Sequence, residues 1–287
     1  MGALGHAWLP RADCGTGCLS VPEASAPLWV GMRCTRRVTL LVLVLLVLIP
    51  VLPLLVLPLP GRRRSLGLGC RLLLLCLGIR ISLSGNPIRN LRGVLVVSDH
   101  TSWLDVLALS AVIPAAFVAR ADMFTGGIVG LLARLLGVIP IDRASLRTLP
   151  AVVEQVARRL RGGQTVVVFP EGTTWCGRPG PGHSGVFYPA LFQAAIDAAR
   201  PVQPVALGYR NADGSLSTAP AYIGTETLLR TLWRVLSVRR TVACVRVESL
   251  RLPGGDRRAL ARHCQSAIRP VVRAVPLPTE HDHALAV

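Results

Sequence analysis

The sequence predicts an α/β domain with a central sheet flanked by helices, preceded by N-terminal helices that associate with a membrane. Short runs of buried-strand type, such as residues 93–98 (GVLVVS) and 165–169 (TVVVF), alternate with helical segments, as in domains that cover a sheet with helices. Residues 38–60 contain no charged side chain, a pattern that indicates membrane contact. A length of 287 residues allows one domain of catalytic size and an appendage.

The first part of the chain is predicted to attach the protein to a membrane. Residues 1–30 have no periodic apolar pattern, so we expect a loose tail. Met32 is followed by arginines and an apolar run, as at the start of a membrane-targeted chain, and translation from Met32 would omit the tail. We expect residues 31–83 to form a membrane-associated helical segment. Prolines leave 38–49 as its uninterrupted helix, so a kinked span and a re-entrant insertion both fit.

Residues 66–83 are apolar but contain Arg71 and Arg80. This pattern favours a helix lying in the membrane interface with its arginines directed to the head groups, and a buried core helix is the alternative. A polar break follows, so we expect the catalytic domain at residues 84–275 and a C-terminal tail at 276–287.

Strand-like and helical segments alternate along the predicted catalytic domain, which favours an α/β fold. The predicted strands are residues 93–98, 117–120, 165–169, 202–209 and 241–250, and the predicted helices are 103–112, 128–136, 149–161, 191–199 and 257–275.

The charge and the cysteines limit the chemistry. The formal net charge is +17 and all 32 cations are arginine, so Schiff-base and lysine-dependent cofactor chemistry is excluded. Arginine forks suit phosphate, so anionic lipid, a phosphorylated substrate or nucleic acid are candidate partners. The eight cysteines contain no pair with the two-residue spacing of a zinc site, so we expect no metal and reduced thiols in a cytosol-facing protein.

A candidate catalytic pair follows the first predicted strand, in the run Ser98-Asp99-His100-Thr101-Ser102-Trp103-Leu104-Asp105. His100 is expected in the turn and Asp105 in the first helical turn, where the carboxylate can orient the imidazole as a general base. The alternative is that Ser102 and Asp105 form a helix capping box and His100 is an ordinary loop residue.

Two further polar clusters end apolar stretches, at residues 137–143 (GVIPIDR) and 169–174 (FPEGTT). The carboxyl ends of parallel strands are where open α/β sheets bind ligands, so three clusters are expected to converge. The sequence contains no lysine-bearing phosphate loop, no dinucleotide-binding glycine triplet and no GxSxG motif.

Together these clusters resemble the motifs of the glycerolipid acyltransferases, the lysophosphatidic acid acyltransferases and their relatives. The motif NHxSxxD is similar to the run that contains His100, Ser102 and Asp105, and FPEGT is matched at residues 169–173. The second motif is matched at Gly137 and 141–143, and the fourth at 204–205, all in family order.

The resemblance implies an enzyme in which His100 is the general base and Asp105 orients it, with substrate contacts by Ser102, Arg143, Glu171, Gly172 and Thr173. It implies direct transfer of a fatty acyl group from acyl-CoA or acyl carrier protein to the hydroxyl of a lysophospholipid, giving phosphatidic acid from 1-acylglycerol-3-phosphate. No cofactor and no nucleic acid are expected. The implied location is the cell membrane, with the catalytic domain facing the cytoplasm.

Several positions depart from the family pattern. Asp99 replaces an asparagine, Thr174-Trp175 replaces Arg-Ser, and residues 187–190 (FYPA) replace a Phe-Lys-x-Gly stretch, so two cations that serve phosphate are missing. Residues 222–234 resemble the ornithine-lipid branch. The alternatives are therefore a lyso-ornithine lipid acceptor and, in another class, a basic membrane-anchored binding protein without catalysis.

Overall fold

A seven-stranded sheet runs through the centre of the computed structural model. The structure describes residues 10–19, 26–51, 62–86, 92–124, 130, 133, 137–142, 145–180, 182–224 and 226–274. The strands are β1 (Ile79–Gly85), β2 (Leu95–Ser98), β3 (Ala116–Arg120), β4 (Ile139–Ile141), β5 (Val166–Val168), β6 (Val202–Asn211) and β7 (Thr241–Val247). Their order is β1-β7-β6-β2-β5-β3-β4, and the neighbouring strands are parallel except for the antiparallel pair β6 and β7.

Helices cover both faces of this sheet. They are α1 (Pro27–Val51), α2 (Arg62–Cys76), α3 (Leu104–Ser110), α4 (Leu149–Arg161), α5 (Phe192–Asp197), α6 (Leu228–Ser237) and α7 (Arg257–Ala274). Successive strand residues point to opposite faces, so Leu95 packs with α4, α5 and α7, whereas Val96 packs with α1, α2, α3 and α6. The predicted α/β fold with helices around a central sheet is confirmed.

The predicted bounds are close for the strands and helices of the buried core and differ at the edges. Helix α4 has the predicted limits, but residues 79–83 form strand β1 beside β7 instead of the end of an interfacial helix. Gly78, with φ of +78°, ends the helical path, and the alternating Ile79 and Ile81 then suit a strand. The sheet therefore begins before residue 84. Helix α6 was not predicted, and most of the helix predicted at 128–136 lies outside the described residues.

The N-terminal residues 10–19 are packed on the domain, although the sequence led us to expect a loose tail there. Cys14 is buried in a small apolar cluster with Trp175 and Ile223, and Ala12 and Leu19 pack against that cluster. The contact is made by side chains far apart in the sequence, so a local pattern could not reveal it.

Helix α1 is the one helix within the described residues that is long and apolar enough to cross a membrane, with a mean hydropathy of 2.2 over its most apolar 18 residues. Its 25 residues would extend about 37 Å, and Pro50 lies inside it. Only 11% of the apolar window is buried in the protein. Most apolar side chains from Val38 to Val51 are therefore exposed, whereas Leu41 packs against the core of the domain.

Arg37 fastens α1 to the domain. Its buried guanidinium donates to the carbonyl oxygens of Leu236 and Val238 at 2.8 Å and of Arg239 at 2.7 Å, at and just beyond the C-terminal end of α6. These carbonyls have no partner within their own helix, so the arginine acts as a cap. Gly78 leaves the space for it, because a Cβ there would lie 1.9 Å from the guanidinium.

We expect Arg37→Met to lower the free energy of unfolding by about 2 kcal/mol or more, because buried carbonyl groups would lose a charged donor. Arg36→Met is the matched control, since Arg36 is exposed on the same helix. Thermal unfolding of both variants in detergent measures the effect. Equal melting temperatures for the two would contradict the capping role.

Candidate active site

The three polar clusters of the sequence follow strands that run in the same direction. His100 follows β2, Asp142 follows β4, and Glu171 follows β5, and these strands are linked by parallel pairing through β3. Their carboxyl ends therefore lie at one edge of the sheet, which is the edge where such folds bind ligands.

His100 and Asp105 form the hydrogen-bonded pair that the sequence suggested. The Nδ1 atom of His100 lies 2.9 Å from Oδ2 of Asp105, and the carboxylate is completely buried while 15% of the imidazole side chain is exposed. The ring stacks on Phe169 with centroids 4.0 Å apart. One ring nitrogen is thus held by a carboxylate and the ring plane is fixed by an aromatic neighbour.

Four further donors surround the Asp105 carboxylate. The backbone N–H groups of Thr101 and Ser102 donate to Oδ2 at 2.7 and 2.9 Å, and the hydroxyls of Thr101 and Tyr209 donate to Oδ1 at 3.3 and 2.7 Å. A carboxylate accepts and does not donate, so a buried one needs this number of donors. Burial raises the pKa of the Tyr209 hydroxyl well above its usual range, and it remains a donor.

The capping arrangement and the histidine contact occur together. The Ser102 hydroxyl accepts from the Leu104 N–H at 3.2 Å, and the Asp105 carboxylate accepts from the Ser102 N–H. Ser102 is buried, so the structure places its hydroxyl inside the turn. The local bonds begin helix α3 and at the same time hold Asp105 beneath His100.

Glu171 ties the third cluster to the first. Its carboxylate accepts from the backbone N–H of His100 at 2.9 Å and from that of Gly185 at 2.8 Å. Burial raises the pKa of this carboxyl well above its usual range, the Asp99 carboxyl adds to the shift, and the two N–H donors oppose it. Glu171 therefore fixes the backbone of the turn at His100, and it also lines a cavity of about 280 Å³.

The remaining predicted site residues are Gly172, which lines a second cavity, Thr173 and Arg143. Gly172 lines an apolar cavity of about 230 Å³ together with Asp142, Phe169 and Tyr188. Gly172 has φ of +71°, and a Cβ there would lie 2.6 Å from Pro10. Thr173 is half-buried beside it. Arg143 lies outside the described residues.

Sequence reasoning missed Tyr209, which belongs to β6 and reaches Asp105 because β6 lies beside β2. The order of the strands in the sheet cannot be predicted from the local sequence around each strand. Cys14 and Cys18 also approach Cys176 and His183, a grouping that the sequence did not predict.

Comparisons with known proteins show which family the chain resembles. Residues 80–208 match the Acyltransferase family. The chain is 35% identical to the 1-acyl-sn-glycerol-3-phosphate acyltransferase of Neisseria meningitidis over 63% of this chain and 69% of that protein. It is 32% identical to the lyso-ornithine lipid O-acyltransferase of Pseudomonas aeruginosa over 78% of this chain and 84% of that protein.

The fold has a solved counterpart in the 1-acyl-sn-glycerophosphate acyltransferase of Thermotoga maritima, with a TM-score of 0.61 at 16% identity, over 88% of this chain and 99% of that one. The fold and the sequence matches together define an acyltransferase. The chain belongs to the Acyltransferase family, as a glycerolipid acyltransferase of the lysophosphatidic acid acyltransferase type with lyso-ornithine lipid acyltransferases among its relatives. The resemblance seen in the sequence is confirmed.

Asp99 gives the site a pH-dependent stability. Burial raises the pKa of its carboxyl to about 7, with Asp105 acting in the same direction and Arg269 against it. An aspartate carboxyl in an unfolded chain has a pKa of about 3.8. The folded protein therefore binds more protons than the unfolded chain between these two values, and the free energy of unfolding falls as pH rises through that window.

We expect Asp99→Asn to raise the melting temperature at about pH 8 and to flatten its decline between about pH 4 and 7. The reason is that the variant has no carboxyl to ionise there, and each pKa unit corresponds to about 1.4 kcal/mol. Thermal unfolding across this pH range measures the effect, with the exposed Asp197→Asn as the control. An unchanged slope in Asp99→Asn would contradict the assignment.

Proposed function

We propose that the enzyme transfers a fatty acyl group from acyl-CoA or acyl carrier protein to the free hydroxyl of a lysophospholipid, with His100 as general base. The observation that carries this proposal is the 2.9 Å contact between His100 and a completely buried Asp105. With Nδ1–H donated to Asp105, the other ring nitrogen is the basic one and is free to take a proton.

The reaction needs one proton transfer in each direction. The imidazole takes the acceptor's hydroxyl proton as that oxygen attacks the thioester carbonyl carbon, and a carbon–oxygen bond forms. When the carbon–sulfur bond breaks, the imidazolium returns the proton to the leaving thiolate. No covalent acyl-enzyme is required, and Asp105 stabilises the transient positive charge. The histidine ends each turnover neutral and the products are an ester and a thiol.

The preferred acceptor is 1-acylglycerol-3-phosphate, which gives phosphatidic acid. Arg143, which corresponds to an arginine of the second family motif, would bind the phosphate of this acceptor. Gly172 and Thr173 would shape the acceptor's binding pocket. The apolar cavity around Phe169, Ile141 and Tyr188 is a suitable place for a lipid chain. The relative from Neisseria meningitidis, which is named for this acceptor, supports the assignment.

A lyso-ornithine lipid is the second candidate acceptor. Thr174 stands where relatives carry a phosphate-binding arginine, and its hydroxyl donates to the carbonyl oxygen of Tyr222 instead of facing substrate. Tyr188, at the position of a family lysine, lines the apolar cavity. The relative from Pseudomonas aeruginosa matches over a larger share of both chains and supports this alternative.

The proposed location is the membrane surface, with the catalytic domain facing the cytoplasm, where acyl-CoA and acyl carrier protein occur. Three neighbouring helices expose large apolar side chains. The exposed side chains are several between residues 38 and 51 of α1, Leu68 and Leu75 of α2, and Leu229 and Trp233 of α6. Helix α1 packs against both α2 and α6, and exposed apolar side chains on adjoining helices are typical of membrane contact.

The first test removes the base. We expect His100→Ala to lower the rate of thiol release from acyl-CoA by a factor of about 10² to 10⁴, because general-base catalysis typically accelerates a reaction by that factor. Tyr209→Phe keeps the packing but removes one hydrogen bond to Asp105, so we expect a smaller loss, about tenfold, in kcat with little change in KM. His263→Ala is the control, since His263 is exposed on α7. Near-normal turnover by folded His100→Ala would refute the mechanism.

The second test distinguishes the acceptors. We expect Arg143→Ala to raise the KM for 1-acylglycerol-3-phosphate about 10- to 100-fold and to leave the KM of the acyl donor unchanged, because a charged hydrogen bond contributes about 1.5 to 3 kcal/mol. Arg147→Ala, an exposed neighbour, is the control. Faster acylation of a lyso-ornithine lipid by the wild type, with Arg143→Ala harmless, would favour the second acceptor.

A further inference from the structure

Three thiols and one imidazole meet outside the catalytic pair. The Sγ atoms of Cys14, Cys18 and Cys176 and a ring nitrogen of His183 all lie within 4.8 Å of one another. The Nδ1 atom of His183 is 3.4 Å from Sγ of Cys176 and 3.8 Å from Sγ of Cys18. The four side chains come from two segments separated by more than 150 residues in the sequence.

These separations are those of ligands on a single small cation. With zinc–sulfur and zinc–nitrogen bonds of about 2.3 and 2.05 Å at tetrahedral angles, a sulfur and a nitrogen ligand lie about 3.6 Å apart and two sulfurs about 3.8 Å apart. The observed sulfur–nitrogen distances of 3.4 and 3.8 Å lie on either side of the first value.

The local backbone presents the four groups to one point. Cys14 lies two residues before a short 3-10 turn, Thr16–Cys18, and Cys18 is the last residue of that turn. Their side chains can therefore converge. Cys176 and His183 belong to a loop that folds back on itself through glycines with positive φ, including Gly177 at +71° and Gly180 at +119°. The spacing of the first pair, with three intervening residues, is within the range of zinc-binding pairs.

The surroundings suit a structural metal more than a disulfide. Cys14 and Cys176 are buried, and Trp175, Ala221 and Ile223 form an apolar shell around them. The backbone N–H of Arg178 forms a hydrogen bond with the Cys176 thiol, as donors around zinc-bound thiolates do. A disulfide would use only two of the three thiols and would leave the imidazole unexplained, whereas one tetrahedral ion uses all four groups.

We propose that Cys14, Cys18, Cys176 and His183 bind one zinc ion in a closed structural site. The expectation of no metal relied on two-residue cysteine spacing and is replaced by this proposal, because the pairing is made in space. Four protein ligands leave no open position, so the ion does not take part in the reaction. The site depends on residues upstream of Met32, since a chain that starts there lacks Cys14 and Cys18.

The ion would link residues 10–19 to the loop that contains Cys176 and His183. Two residues near these ligands form hydrogen bonds that hold the turn at His100. Trp175, next to Cys176, donates its backbone N–H to the carbonyl oxygen of His100 at 2.8 Å. Gly185, two residues beyond His183, donates to Glu171. Zinc therefore holds in place the segment on which the backbone of His100 rests, whichever acceptor the enzyme uses.

The test is the metal content of the full chain, purified in detergent under reducing conditions without chelator. We expect about one zinc ion per chain by elemental analysis. We also expect the reduced, metal-free protein to bind cobalt(II) with the intense visible bands of a tetrahedral thiolate site. Phenanthroline should lower the melting temperature by several degrees.

Variants at the half-exposed His183 keep the test decisive even if cysteine variants fail to fold. His183→Ala should lose most of the zinc and the chelator-induced shift, whereas His183→Cys should keep the zinc as a four-thiolate site and change the cobalt spectrum. Cys70→Ser and His263→Ala are the controls and should bind like the wild type. These readouts do not depend on activity, so they stand apart from the proposed reaction.

Three outcomes would overturn the proposal. The first is a reduced wild-type chain that contains no zinc and gives no tetrahedral cobalt spectrum. The second is stoichiometric copper or iron in place of zinc. The third is a disulfide between two of the three cysteines in protein isolated with its thiols protected.

Discussion

The buried carboxylate of Asp105 is the constraint on which the turn from His100 to Ser102 depends. It receives bonds from His100, from the turn at Thr101 and Ser102, and from Tyr209 on a neighbouring strand. An ion without contact with water needs all of these donors, so the carboxylate determines where each of them lies. Glu171 holds the same turn from the other side, through the backbone N–H of His100. The imidazole is thus positioned by two buried carboxylates, of which only Asp105 contacts the ring.

How much of this was predictable depends on how local each signal is. The pair His100 and Asp105 is five residues apart across a strand-to-helix turn, so its contact could be predicted from the sequence. Tyr209 could not be predicted, because its contact depends on β6 lying beside β2. Strand β1 was mistaken for helix, since its apolar residues continue those of α2 and only Gly78 marks the change. The grouping of the proposed zinc ligands could not be predicted for the same reason, because it joins residues more than 150 positions apart in the sequence.

The arginines show how composition alone misleads. A net charge of +17 suggested forks for phosphate, yet several guanidiniums serve the fold. Arg37 caps α6, Arg71 donates to the carbonyl oxygen of Ala111 at the end of α3, and Arg234 bonds Glu226 and the carbonyl of Ala219. Arginine is suited to this task because it presents several donors in one plane and is less strongly hydrated than lysine. In a chain without lysine, the number of cations overstates the number available to a substrate.

The exposed apolar helices and the turn at His100 share one core, and this fixes the separation between them. Cys34 of α1, Leu74 of α2 and Val235 of α6 pack in the same cluster as Leu104, the first residue of α3. Helix α3 begins immediately after the turn that carries His100, and it also carries Asp105. The distance from the exposed apolar surface to His100 is therefore fixed by close packing and not by a flexible linker. In the reaction that we propose, an acceptor whose acyl chain stays in a lipid layer would meet an imidazole held at a constant distance from the exposed apolar surface.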